Sequence, residues 1–250
     1  MSSLLPDPLL ALPSLGSNLT QGVLLLAVST LAERRDADTE GHLLRVQGYL
    51  RVLAHALREV PELQLLLTDE YIANLLQGAL VYDIGTLALA DRVLLKPGRY
   101  TPAERLAMQS HTLRGFEALA HAEKTCGASD PGLQMAKEMA LSHHEHWDGH
   151  GYPHQCSGLA IPLCARILAV ADVYDAMISH KVYKEGISHA QAVVQIQADR
   201  GRQFDPMVVD AFLACADQFE RIAHRHADSE EDLQHKMEHL AQAIAEHTEM

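Results

Sequence analysis

Histidines and carboxylates recur through the middle of this sequence, and some of them stand next to one another. His143 and His144 are adjacent, and Tyr82 immediately precedes Asp83. Neighbouring residues of a helix point about 100° apart, so an adjacent pair addresses two ions more easily than it chelates one. A carboxylate has two oxygens and can bridge both ions. These residue types therefore indicate a metal centre. Many such centres pair a histidine with an aspartate at the next position, and Tyr82 stands where that histidine would be expected.

A lone histidine on a helix is more often a surface or core residue than a metal ligand. The candidates here are distributed over several consecutive predicted helical segments and have to be judged together. They are His42, Asp83, His111, His143, His144 and Asp172.

Composition restricts what such a centre acts on. The chain has 250 residues, of which 48% are hydrophobic and 21% charged, and its net charge is -13. This charge argues against a general nucleic-acid or anionic-membrane binder, because the binding surfaces of such proteins are basic. An anionic substrate would need metal ions or local positive charge to offset the repulsion.

The sequence predicts a cytoplasmic protein. Four cysteines are scattered without a CxxC pair, which is typical of reduced thiols. The longest apolar stretch, at 22–28, is too short to span a bilayer, so no membrane insertion is expected. The N-terminus has no basic region of the kind that begins a secretory signal.

The elements that would position the candidates are all predicted to be helices. Apolar residues at Leu43, Val46, Leu50, Leu53 and Leu57 follow helical spacing. Thr101 followed by Pro102 and Glu104 predicts a capped helix start. Further helices are expected at 14–33, from about 69 to 81, at 102–122 and 132–145, and in three segments between 161 and 225. The predicted fold class is all-α.

The C-terminal tail has two interpretations. Leu233, Met237, Leu240 and Ile244 recur at 4-3-4 spacing. This pattern predicts a helix that packs on its own domain, and a short helix that forms a homodimer is the alternative.

Several long motifs, in order, resemble the HD-GYP family of cyclic di-GMP phosphodiesterases. "YDIGTLALADRVLLKPG" resembles the HD segment and the loop after it. "HHEHWDGHGYP" and "IPLCARILAVADVYDA" resemble the signature block. The resemblance covers about residues 30–215 and implies an HD-domain-type helical bundle. It divides the chain into an N-terminal segment with a linker helix at 1–30, an HD-GYP domain at 31–220 and a helical tail at 221–250.

The resemblance also implies roles for individual residues. Two or three ions, iron or manganese, would activate water and hold the phosphodiester, with Asp83 as the bridging catalytic carboxylate. The implied metal ligands are Asp38, His42, Asp83, His111, His143, His144 and Asp172, with Tyr82 either a ligand or a neighbour of the site. The implied substrate contacts are Lys181, Lys184 and Tyr152, and the GYP loop contains Gly149, Gly151, Tyr152 and Pro153.

Two positions depart from the family pattern. Tyr82 replaces the histidine of the HD pair, and Thr86 replaces a lysine that would contact substrate phosphate. A phenol with an ordinary pKa of about 10 is a poor ligand for a divalent ion. Loss of one charge-stabilising group typically costs roughly 10²–10³ in rate. The sequence therefore predicts a phosphodiesterase of weak activity. The alternative is a silent domain that binds metal, nucleotide or a GGDEF-domain partner.

Overall fold

The computed structural model describes residues 19–35, 40–96, 98–127, 129–179 and 186–231, together with residues 234, 237, 238 and 241. These ranges contain nine α-helices, two short 3-10 helices and no β-strand, as the sequence predicted. The α-helices are α1 (Leu19–Arg35), α2 (Glu40–Arg58), α3 (Asp69–Gly78), α4 (Asp91–Leu94), α5 (Pro102–Cys126), α6 (Pro131–Ser142), α7 (Leu163–Ile178), α8 (His189–Ala198) and α9 (Pro206–Arg225). The 3-10 helices are Ile84–Ala88 and Gly158–Ala160.

The largest core lies where α2, α7 and α9 pack together. Tyr49 of α2 stacks on Phe219 of α9 with ring centroids 4.6 Å apart, and it meets Tyr174 of α7 edge to face at 5.2 Å. All three rings are fully buried. The predicted apolar face of α2, from Leu43 to Leu57, is buried as well, which confirms its helical periodicity. Two of these packed helices carry candidate ligands, His42 on α2 and Asp172 on α7.

Capping interactions set where the helices around the candidate residues begin. Thr101 accepts a hydrogen bond from the Glu104 amide and Glu104 reciprocates, which confirms the predicted start of α5. Asp130 caps α6 by accepting from the amides of Gly132 and Leu133. A polar side chain at such a position satisfies amides that have no partner within the helix. The two caps set where α5, which carries His111, and α6, which leads into His143, begin.

Three helices that carry or precede candidate residues end at other positions than the sequence predicted. The helix expected to run to 81 ends at Gly78, and Asp83 follows in a turn. The helix expected to end at 122 continues to Cys126 and stops before Gly127, whose φ of 63° is left-handed. The helix expected to reach 145 ends at Ser142, because the following backbone bonds to the next loop, with the Tyr152 amide donating to the His144 carbonyl.

The predicted domain boundaries fall inside α1 and α9 and remain predictions. Of the four apolar tail positions, Met237 belongs to the described residues and is 58% exposed, whereas Leu233, Leu240 and Ile244 lie outside them. Within the described ranges, none of the helices has the length and apolar character that crossing a membrane requires.

Candidate metal centre

A close approach between the 3-10 helix at 84–88 and α5 places Asp83 beside His111. Gly85 makes this approach possible, since a Cβ atom built on it would lie 1.9 Å from the His111 carbonyl oxygen and 2.6 Å from the Gly115 amide nitrogen. No side chain fits in that space. The glycine two residues after Asp83 therefore sets the distance between the carboxylate and the α5 histidine.

Three electron-rich atoms meet at this position. Asp83 Oδ1 lies 3.2 Å from His111 Nε2 and 3.6 Å from His143 Nε2, and the two Nε2 atoms are 3.3 Å apart. Asp83 Oδ1 is buried and has no hydrogen-bond partner of acceptable geometry. A buried carboxylate oxygen without a partner is costly. Its surroundings are therefore those of a cation site.

Backbone carbonyls fix the orientation of both imidazoles. His111 Nδ1 is 2.7 Å from the Met108 carbonyl oxygen, and His143 Nδ1 is 2.9 Å from that of Met139. A carbonyl oxygen only accepts, so each Nδ1 carries a hydrogen, and each ring in its neutral form turns its Nε2 lone pair into the site. Carbonyl partners of this kind accompany metal-bound histidines. Imidazole and carboxylate donors suit iron or manganese, so these residues fit such an ion.

Asp83, His111 and His143 influence one another's pKa values. Burial would raise the pKa of Asp83, but the His143, His111 and His144 rings outweigh it and hold that pKa well below its usual range. Burial lowers the pKa of His111 despite the Asp83 carboxylate. For His143, burial would lower the pKa, but the neighbouring Asp83 carboxylate outweighs it and raises the pKa. The carboxylate is thus ionised in the folded protein and is available as an anionic ligand.

His144 belongs to the same group, and whether the adjacent pair addresses one ion or two stays a prediction. One ligand atom each of His111, His143 and His144 lie within 4.8 Å of one another. The 100° separation does not apply, because α6 ends at Ser142 and the pair lies in the turn that follows. Burial and the neighbouring His143 and His111 rings lower the pKa of His144 well below its usual value, which keeps it neutral.

A second group forms around Tyr82. Its hydroxyl donates to Asp172 Oδ1 at 2.7 Å and lies 2.9 Å from His42 Nε2. The Tyr82 side chain is buried and packs edge to face on His143, with centroids 5.1 Å apart. The structure thus connects the predicted ligands His42 and Asp172 through the residue that departs from the family pattern.

Two residues behind His42 were missed by the sequence interpretation. Asp175 Oδ2 lies 2.9 Å from His42 Nδ1, and both of its oxygens accept from the Arg45 guanidinium. Arg45 also donates to the His226 carbonyl and to Asp228 Oδ1. Spacing could have indicated both residues, because Arg45 and Asp175 each stand three positions after a predicted ligand on the same helix face.

Thr86 does not take over the role of the missing lysine. Its Oγ1 donates to the Asp83 carbonyl oxygen at 2.8 Å, and the residue is buried. The Thr86 carbonyl accepts in turn from Arg35 at 2.9 Å. The side chain therefore stabilises the turn that contains Asp83 and contributes no charge to the site.

The GYP loop forms one wall of the histidine group. The Tyr152 ring stacks on His144 with centroids 4.8 Å apart and an interplanar angle of 29°. Gly151 has no room for a side chain, since a Cβ atom would lie 2.2 Å from the His146 amide nitrogen. Gly149 has a φ of 83°, a left-handed conformation that favours glycine. Both glycines, with Pro153 after them, shape the turn that presents Tyr152.

Glu145, a further residue that the interpretation missed, holds the far end of this loop. Its carboxylate accepts from the His154 amide at 2.7 Å and from the Cys156 amide at 3.0 Å, and it is buried. Three predicted site residues, Asp38, Lys181 and Lys184, lie outside the described residues.

A protein family and several curated proteins are similar to most of this chain. Residues 28–208 match the HD domain family. A probable cyclic di-GMP phosphodiesterase of Vibrio cholerae serotype O1 is 46% identical over 210 residues, which are 84% of this chain and 48% of that protein. A cyclic di-GMP phosphodiesterase of the same organism is 47% identical over 210 residues, covering 84% of this chain and 42% of its own length. The chain thus spans less than half the length of either relative.

A solved structure shares the fold. A cyclic GMP-AMP specific phosphodiesterase of V. cholerae aligns with a TM-score of 0.51 at 20% sequence identity. The alignment covers 89% of this chain and 59% of that chain. This likeness shows a shared helical fold.

Proposed function

The chain belongs to the HD domain family, in its HD-GYP branch, and we propose that it forms a metal-dependent phosphodiesterase domain that opens cyclic di-GMP to the linear dinucleotide. The convergence of Asp83 Oδ1 with the Nε2 lone pairs of His111 and His143 carries this proposal. Three such atoms within 3.6 Å of one another would be stabilised by a bound cation. The substrate named for the two Vibrio relatives supplies the nucleotide.

The chain's own residues would hold and shape the site. Asp83, His111, His143 and His144 would bind the ion, and the carbonyls of Met108 and Met139 keep two of the rings in the productive tautomer. A bound ion supplies a Lewis acid that withdraws charge from a phosphate ester and from water. It also offsets the repulsion between a chain of net charge -13 and an anionic dinucleotide.

Tyr152 would position the substrate rather than transfer a proton. Burial raises the pKa of its hydroxyl above the ordinary value, so the phenol stays neutral. The ring lies on His144 and edge-on to His111, with the latter centroids 6.3 Å apart. This packing restricts the entry of water beside the two imidazoles and offers a wall for a base or ribose.

We expect the activity to be weak. Thr86 turns its hydroxyl to the Asp83 backbone, where the family lysine would contact phosphate. The same observation favours a second candidate function, a domain that binds metal and nucleotide or a GGDEF-domain protein without turnover. Participation of Lys181 and Lys184, a GGDEF-domain partner, a homodimer and a cytoplasmic location remain predictions from the sequence.

Chromatography of cyclic di-GMP after incubation with the Mn²⁺-loaded protein tests the proposal. We expect slow formation of the linear dinucleotide, lost in His111→Ala and retained in His121→Ala, which removes an exposed histidine of the same helix. Thr86→Lys combined with Tyr82→His should raise the rate, by roughly 10²–10³ for the restored charge. Binding without product would favour the silent domain. Hydrolysis of a cyclic GMP-AMP dinucleotide in preference to cyclic di-GMP would reassign the substrate.

A further inference from the structure

The Tyr82 hydroxyl stands between two side chains that were predicted to be metal ligands. It lies 2.9 Å from His42 Nε2 and 2.7 Å from Asp172 Oδ1. These two side chains come from α2 and α7, and Tyr82 itself comes from the turn before the 3-10 helix at 84–88. The hydroxyl thus connects three separate parts of the fold at one point.

The atoms that an ion would use at this point are already bonded. Nitrogen and oxygen ligands lie about 2.0–2.2 Å from a transition-metal ion. An ion within that distance of both His42 Nε2 and Asp172 Oδ1 would have to break both hydrogen bonds and displace the phenol oxygen. The phenol has little room to move, because the Tyr82 side chain is 2% exposed and packs against the His143 ring.

His42 is also held in place from its other side. Asp175 Oδ2 lies 2.9 Å from His42 Nδ1, and Asp175 is itself fixed by the Arg45 guanidinium. The His42 ring is therefore bonded at both nitrogens to protein atoms. This arrangement differs from that of His111 and His143, whose Nδ1 atoms are held by carbonyls while their Nε2 atoms meet at Asp83.

We propose that the Tyr82 hydroxyl takes the place of one metal ion, so that this chain holds a single-ion centre at Asp83, His111, His143 and His144. His42 and Asp172 are then hydrogen-bonding partners of Tyr82 and no longer metal ligands. Tyr82 acts as a structural substitute that keeps α2 and α7 joined where an ion would otherwise join them. This inference rests on the proposed function, because it presumes that the histidine group binds an ion.

Counting ions tests the inference directly. The full chain is dialysed to equilibrium against excess Mn²⁺, and manganese per chain is measured by elemental analysis. We expect one ion in the wild type, in His42→Ala and in Asp172→Asn, and less than one in His111→Ala. Tyr82→His should bind two ions, because an imidazole replaces the hydroxyl and completes a second set of ligands.

The outcomes separate this inference from the proposed function. Two ions in the wild type, with one lost in His42→Ala or Asp172→Asn, would overturn the inference and leave the metal-dependent function standing. One ion in a folded Tyr82→His protein would also overturn it. No ion in the wild type would remove the proposed function itself. If Tyr82→His does not fold, the counts for the His42 and Asp172 variants still decide the question.

A spectroscopic measurement asks separately whether Tyr82 is a ligand. A phenolate bound to ferric iron gives a visible charge-transfer band. Protein loaded with Fe³⁺ should show either no such band or one that Tyr82→Phe leaves unchanged. A band that disappears in Tyr82→Phe would show that the phenol binds the metal, which would overturn the assignment of Tyr82 as a substitute for it.

Discussion

Arg45 and Asp175 form a buried, two-pronged ion pair behind His42. Arg45 Nε lies 2.7 Å from Asp175 Oδ1, and Arg45 Nη2 lies 3.0 Å from Oδ2. The two side chains are 4% and 1% exposed. Burial would raise the pKa of Asp175, but His42 and Arg45 outweigh it and hold that pKa well below its usual range. The pair connects α2 to α7 at the level of the candidate site.

Removing one partner of this pair should destabilise the fold strongly. Asp175→Asn removes the two-pronged partner of the buried Arg45 charge and leaves Asp228 as its remaining carboxylate contact. Breaking a buried pair costs about 3–5 kcal/mol. The measurement is the free energy of unfolding in urea for metal-free protein. Arg200→Gln is the matched control, because it breaks an exposed pair with Asp210 and should cost less than about 1 kcal/mol. Equal losses in the two variants would contradict the prediction.

Metal binding should stabilise the protein through the histidine group. A ligand at 100 times its dissociation constant adds about 2.7 kcal/mol to the free energy of unfolding. We expect Mn²⁺ to raise the melting temperature and a chelator to reverse the increase. His111→Ala should abolish the response, whereas His121→Ala should keep it. A full response in His111→Ala would show that the ion binds elsewhere.

Gly85→Ala should disturb both stability and metal binding. The new Cβ atom would lie 1.9 Å from the His111 carbonyl oxygen, so α5 must move away from Asp83. Such overpacking costs about 1–3 kcal/mol of folding stability. Isothermal titration calorimetry with Mn²⁺ should also show weaker metal binding. Gly127→Ala serves as the comparison. It places a side chain at a φ of 63° with no atom within 4 Å, so it should cost about 1–2 kcal/mol and leave the Mn²⁺ affinity unchanged.

Glu145→Gln should loosen the far end of the GYP loop. The amide group offers one acceptor where the carboxylate offers two, so the His154 or Cys156 amide loses its partner. Hydrogen bonds to charged groups contribute about 1.5–3 kcal/mol, which corresponds to roughly 10–100-fold faster hydrogen exchange. Exchange followed by NMR measures this. The Gly158 amide, bonded to the Trp147 carbonyl at 2.9 Å, provides the internal reference and should not change. Unchanged protection of His154 and Cys156 would contradict the assigned role of Glu145.

The helical framework could largely be predicted from local sequence. The apolar spacing of α2 and the capping box at Thr101 depend on residues a few positions apart, and both predictions are confirmed. The ends of α3 and α6 could not be located in this way. They depend on contacts with distant segments, such as the bond between the Tyr152 amide and the His144 carbonyl.

The candidate ligands could be predicted as a set, but their arrangement could not. The motifs indicated His42, Asp83, His111 and Asp172 without showing which of them meet. The division into a histidine group and a Tyr82 group depends on side chains from α2, α5 and α7 converging in space. The sequence placed Tyr82 beside the site, and only the fold shows its hydroxyl between His42 and Asp172.

The hydroxyl between His42 and Asp172 belongs to the polypeptide itself. An ion at that point would be in exchange with the cell's supply, and its occupancy would fall whenever that supply fell. A tyrosine oxygen cannot diffuse away, be taken by a competing chelator or change oxidation state with its surroundings as iron does. This half of the site is therefore assembled whenever the chain is folded, and dependence on metal availability is confined to the Asp83 and histidine side.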